Sequence, residues 1–172
     1  MEKYKNIKVV DASSKEELDQ VRHLFREFVK WHLERNRKDM ELLGEYFGAA
    51  FEEELRSLPG KYALPTGRLL LAYYDHQPAG CVALRKIDDQ SCEMKRMFVD
   101  THYQRKGIGQ VLAENIIKAA KAQGYTTMKL DTSFRQTEAQ ELYQRMGFQK
   151  TKAYYELPKK VEDWLVFMEL KL

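Results

Sequence analysis

Between residues 91 and 147 the chain changes its hydrophobic period three times, and that alternation constrains the fold more than any other feature of the 172-residue sequence. Residues 91–99, SCEMKRMFV, read as a strand. QRKGIG follows at 104–109, and then Ile108, Val111, Leu112, Ile116 and Ala119 recur on one helical face that ends near Gly124. Residues 127–131 form a short apolar strand, and 137–146 a second helix closed by Gly147. A strand–helix–strand crossover of this length makes strands 91–99 and 127–131 parallel neighbours.

The flanking sequence reads differently. Residues 7–10 alternate weakly as a first strand. Ser14 with Glu17 is a capping box, and Leu18, Val21, Phe25, Phe28 and Val29 then follow helical spacing to about Arg35. Residues 39–58 read as helix in pieces, broken around Gly44 and Gly48, before a loop punctuated by Pro59-Gly60 and Pro65-Thr66-Gly67. Strands over 68–74 and 79–86 are joined by a turn at 75–78, and a second turn falls at Asp88-Asp89. Residues 148–155 and 165–170 read as two closing strands. The expectation is a single α/β domain over residues 1–172, with a mixed, mostly antiparallel sheet of six to seven strands, flanking helices and a parallel central pair.

Composition excludes several classes. Lysine and arginine total 29 against 26 acids, a net +3 with mixed signs, which argues against a nucleic-acid partner. Cys81 and Cys92 form no disulfide framework; Cys92 reads as a buried structural thiol. His23, His32, His76 and His102 lack metal-ligand spacing and read as surface or turn residues, so no metal is expected. The N-terminal MEKYKNIKVV has no apolar h-region, and no run is long enough to span a bilayer; a cytoplasmic protein with no membrane contact is expected. A homodimer is compatible with these features, though none demands it.

QRKGIG concentrates backbone freedom and positive charge at a helix start. The first amides of a helix have no intrahelical partner and lie at the positive end of its dipole, where phosphate binds. Gly107 and Gly109 let a ligand oxygen approach the backbone; Arg105 and Lys106 add charge, and Gln104 helps position the loop. A dinucleotide fingerprint would need glycine at position 112, which is Leu112, and no Gly-Lys-Ser/Thr phosphate loop occurs.

SCEMKRMFVD followed by QRKGIG resembles the acetyl-CoA site of the Gcn5-related N-acetyltransferase (GNAT) superfamily. AQELYQRMGF at 139–148 is similar to that family's second motif. EMKRMFV, the LDT of residues 124–132 and FMEL at 167–170 are similar to small bacterial members. The resemblance covers residues 68–170 well and 1–67 in layout only. It implies the GNAT fold, acetyl-CoA as co-substrate and an amine as acceptor. It further implies that pantetheine lies where the parallel strands splay, bonded to the backbone of Met97, Phe98 and Val99, with the pyrophosphate on Gln104, Arg105, Lys106, Gly107, Ile108 and Gly109. Many members carry asparagine where this chain has Gln136, so that pantetheine contact is lost or remade by Thr137 or Ser133.

Attack on a thioester needs a neutral amine. Deprotonating a lysine-like amine at neutral pH costs roughly 4–5 kcal/mol, and an α-amine about 1–1.5 kcal/mol. Glu93, on the central strand, is the first candidate base, because burial would raise its pKa; the alternative is that it pairs with Lys95. Glu54 is the second candidate. Tyr143 occupies the family's general-acid position and would hydrogen-bond the leaving thiolate; a half-buried packing tyrosine is the alternative. A backbone N–H such as that of Phe98 would polarise the carbonyl. Trp31 and residues 39–58 would set acceptor choice. Two other readings remain open: an acyl-CoA sensor or scaffold without turnover, and a nucleic-acid or ribosome-associated protein using Lys95, Arg96, Arg105 and Lys106, which the charge balance disfavours.

Overall fold

The computed structural model describes residues 4–39 and 49–172. The expected breaks at Gly44 and Gly48 lie outside these residues. A seven-stranded sheet runs in the order β1-β2-β3-β4-β5-β7-β6. Its strands are β1 (Ile7–Asp11), β2 (Arg68–Tyr74), β3 (Gln77–Lys86), β4 (Ser91–Val99), β5 (Thr127–Ser133), β6 (Gln149–Thr151) and β7 (Leu165–Lys171). All neighbours are antiparallel except β4 and β5, which are parallel as the crossover requires. The helices are α1 (Lys15–Arg35), α2 (Ala49–Ser57), α3 (Ile108–Ala122), α4 (Thr137–Arg145) and α5 (Lys159–Trp164).

Local chemistry accounts for the ends of these elements. Ser14 and Glu17 form the reciprocal capping box that starts α1. Gly107, in the left-handed region at φ 85°, starts α3, and a Cβ there would sit 2.4 Å from a ring carbon of Tyr4. Glycine is therefore required at 107 on two grounds.

Each face of the sheet carries its own core. Leu84, Met94, Ile108, Leu112, Ile116 and Met128 pack on the α3 and α4 side. Val21, Leu24, Phe25, Leu55, Leu71 and Phe98 pack under α1 and α2. A smaller cluster of Val161, Trp164, Leu165 and Phe167 lies beside α5.

Two expectations at the C-terminal end are corrected. The strand expected over 148–155 is only Gln149–Thr151. Tyr154 and Tyr155 leave the sheet to donate their hydroxyls to Glu93 (2.8 Å) and Asp131 (2.7 Å), and α5, absent from the sequence reading, carries the chain back to β7. In the other direction, β5 runs two residues past its expected end to Ser133.

The feature that positions the site is a bulge in β4. The β3–β4 register shifts between Cys81 and Ala83, whose partners are Phe98 and Lys95. Two β4 residues, Arg96 and Met97, thus oppose the single residue Val82. Arg96 takes φ 55°, in the left-handed region. Pairing of β4 with β5 ends at Glu93 and Lys129. Beyond that point the two strands diverge and the backbone of residues 97–99 faces an open cleft.

Candidate active site

The cleft has two connected parts. An outer groove of about 330 Å³ is lined by Met97, Phe98, Val99, Gln104, Arg105, Gly107, Ile108, Gly109 and Tyr143 among others. An inner cavity of about 90 Å³ is lined by His32, Met94, Lys95, Arg96, Leu130, Asp131 and Thr132 among others. Met97, Gln136, Ala139 and Tyr143 line both and form the passage between them.

The loop at the outer end is built as its residues require. Asp100 caps a short 3-10 turn at Thr101–Tyr103, and the Gln104 amide donates to the Val99 carbonyl at 3.3 Å, tying the loop to the end of β4. Arg105 has φ 61° and Gly107 φ 85°. The Val111 N–H bonds the Gly107 carbonyl, so the N–H groups of 108–110 have no intrahelical acceptor. A Cβ at Gly109 would meet Leu142 and Val99 at ordinary contact distances of 3.6 and 3.7 Å. The Lys106 side chain is not brought into the groove; its ammonium sits 4.4 Å over the Tyr74 ring.

Tyr143 is buried at the passage, and burial, with the nearby Asp131 charge, pushes its phenol further up. It is therefore a neutral hydrogen-bond donor across the working pH range. Gln136 is held on both sides. Its carbonyl accepts from the Thr132 hydroxyl (2.6 Å) and the Ser133 N–H (3.3 Å), so its NH₂ faces Nδ1 of His32 at 3.2 Å. That bond makes Nδ1 the acceptor and leaves the ring proton on Nε2.

Three readings of individual residues change here. His32 is not a surface residue: it is 4% exposed, and burial, with the charges of Arg96 and Arg35, lowers its pKa to about 4. Glu93 does not carry a raised pKa. Burial pushes it up, but Lys95 at 3.5 Å, Arg85 and the Tyr154 hydroxyl together bring it below the ordinary glutamate value. It is fully buried among these partners and is not part of either cavity wall. Glu54 is likewise a fixed anion: burial opposes its charge, but Arg96 and Lys61 hold it at about 2. Cys92 is buried as expected, and burial pushes its thiol up to about 12.

Asp131, Arg35 and His32 were not singled out as site residues from the sequence. Asp131 had a local signal, the LDT of β5; His32 and Arg35 are ordinary positions on an amphipathic helix until the fold brings them to the cleft. Among the described residues no group of His, Cys, Asp and Glu is arranged to hold a metal ion, and no helix is long and apolar enough to cross a membrane.

A sheet splayed at a bulge, with a glycine loop and helix N-terminus at one end of the cleft, defines an acetyltransferase-type architecture. The profile of the acetyltransferase (GNAT) family matches residues 24–148, and the chain belongs to that family. An uncharacterized N-acetyltransferase of Dictyostelium discoideum is 31% identical over 96% of this chain and 99% of its own length. N-acetylaspartate synthetase of Danio rerio is 31% identical over 61% of this chain and 38% of its own. Among solved structures, PaiA N-acetyltransferase from Thermoplasma acidophilum in complex with coenzyme A superposes with a TM-score of 0.73 at 20% identity, covering 96% of this chain and 99% of that one. An acetyltransferase from Streptococcus agalactiae gives 0.73 at 18% identity, covering 98% and 99%. At these identities the two superpositions establish the fold.

Proposed function

We propose that the protein moves an acetyl group from acetyl-CoA to a primary amine by direct attack within a single domain. The observation that carries this reading is the continuity of the cleft, from unpaired loop amides to a passage walled by Tyr143 and the divergent backbone of residues 97–99. The pyrophosphate sits on the N–H groups at the start of α3, with Arg105 beside it. Pantetheine extends along β4 by strand addition, and an N–H of that strand polarises the thioester carbonyl. Tyr143 donates a hydrogen bond to the sulfur as the C–S bond breaks. A phenol is a weaker acid than a thiol, and more so here, so the thiolate takes its proton finally from the amine.

Glu93 does not meet the amine directly, because Arg85, Lys95 and Tyr154 enclose it. Asp131 is the carboxylate that lines the inner cavity, and we assign it the first acceptance of the amine proton. The relatives that bear N-acetyltransferase names support amine acceptors as a class.

Thermal unfolding with acetyl-CoA, CoA, ATP and NAD in parallel tests the donor site. A ligand at a hundredfold over its Kd stabilises by about 2.7 kcal/mol. Stabilisation by both CoA forms and neither nucleotide is expected; no response to acetyl-CoA overturns the reading. Acetyl transfer to a panel of amines then tests turnover. In that assay Asp131→Asn should lower kcat more than Glu93→Gln, and the reverse order would return the base to Glu93.

A further inference from the structure

The bulge that opens the cleft is held by a side chain from α2. Arg96 is not glycine, yet it adopts φ 55°, a strained conformation that a non-glycine residue keeps only where its surroundings enforce it. Its carbonyl accepts from the Cys81 thiol at 3.6 Å. Its guanidinium crosses to α2 and binds Glu54 with two parallel bonds, Nε to Oε1 at 2.9 Å and Nη2 to Oε2 at 3.0 Å. Glu54 is buried and Arg96 nearly so, at 7% and 11% side-chain exposure. Glu54 is in turn fixed by Lys61 at 2.9 Å and the Tyr62 hydroxyl at 2.8 Å.

The chain has therefore placed a buried, bidentate ion pair on the one β4 residue whose backbone departs from the strand. Neither carboxylate oxygen of Glu54 is left for proton transfer, and Glu54 lies outside both parts of the cleft. A buried pair of this kind is weak evidence for stability, whereas its two parallel bonds fix where the Arg96 guanidinium points. The geometry fixed here is the direction of residues 97–99, the backbone that faces the donor.

We propose that Glu54 is a positioning residue for acetyl-CoA, acting through Arg96 to hold the bulge that presents the Met97–Val99 backbone to the donor. Helix α2, which lines neither part of the cleft, is thereby coupled to donor affinity. The inference rests on the acetyl-CoA reading above.

Calorimetric titration of CoA into the purified full chain tests it. Glu54→Gln removes the charge, and Glu54→Asp keeps the charge but shortens the reach, so a fold-compromising effect of one is checked by the other. Each should weaken CoA on the order of tenfold and raise the acetyl-CoA KM with a smaller change in kcat. Lys61→Met, which removes a Glu54 contact without touching Arg96, should change the affinity less than about threefold. Arg96→Gly keeps the left-handed conformation accessible without the clamp, and adding Glu54→Gln to it should have no further effect. CoA affinity unchanged in a folded Glu54→Asp or Glu54→Gln protein, or additive effects with Arg96→Gly, would overturn the proposal alone. Failure of the unsubstituted protein to bind CoA would overturn the donor reading and this inference with it.

Discussion

The outer groove and the inner cavity are built by opposite means. The groove depends on backbone: a left-handed Gly107, free amides at the start of α3 and the edge of β4, all within residues 97–110. The inner cavity depends on side chains that arrive from α1, β4, β5 and α5 and hold one another in place. Backbone sites tolerate exchange of most side chains and fail at the few positions where conformation is special. Side-chain sites fail when a partner is removed, wherever that partner lies in the sequence. The contrast predicts where each part breaks.

The passage where the two meet should be the most sensitive point. Tyr143→Phe keeps the ring packing against Phe148 and removes only the hydroxyl, the proposed donor to the thiolate. A fall in kcat of about 10²–10³-fold is expected, with the acetyl-CoA KM nearly unchanged. Equal activity in steady-state assays would make Tyr143 a packing residue.

The inner network should show itself in acid. His32 takes up a proton near 6.5 when unfolded but only near 4 when folded. Its contribution to stability is thus complete above 6.5 and is lost as pH falls towards 4, by about 3 kcal/mol in total. Glu54 adds a second loss that begins at the acid end of that window and runs from 4.5 towards 2, because its folded pKa is depressed. Urea melts across pH 4–8 should show the upper slope in the unsubstituted chain and a flatter one in His32→Gln. Parallel slopes would mean that the buried imidazole charges without resistance.

The two loop glycines separate the backbone effects. Gly107→Val combines a forbidden φ with a clash on Tyr4, and should cost about 1–3 kcal/mol of stability together with the CoA-induced thermal shift. Gly109→Ala has room and lies in a helix, so the ligand-free melting temperature should hold or rise, within about 1 kcal/mol. A large loss at 109 would show that the loop is less open than its contacts indicate.

The same contrast explains what could be read from the sequence. Strands 68–74 and 91–99 and the helix from Ile108 are recovered almost to the residue, because their signals are local: alternation, a capping glycine, a crossover of fixed length. The groove was legible for the same reason. The surroundings of Glu93 were only partly legible. Its neighbour Lys95 lies two residues away, but Tyr154 is 61 residues distant and comes into reach only because the chain leaves β6 early. Burial alone pointed to a raised pKa, and the partners that reverse it belong to tertiary structure. His32 failed in the same way, since nothing in the spacing of α1 distinguishes a buried histidine from an exposed one.

The strand order carries a consequence for how the molecule is made. β7 follows β6 in the chain but lies inside it in the sheet, between β5 and β6. As the polypeptide emerges from the ribosome, β1 to β4 can pair strand by strand, each with a neighbour already synthesised. β6 emerges before β7, its only partner among the described strands, and takes its native place only when residues 165–171 have paired with β5. Until then the far wall of the cleft is missing and the β5 edge is bare, a template for another chain. The nascent protein thus passes through a stage in which its first four strands can be assembled while its cleft is open on one side, and only the arrival of β7 ends that exposure.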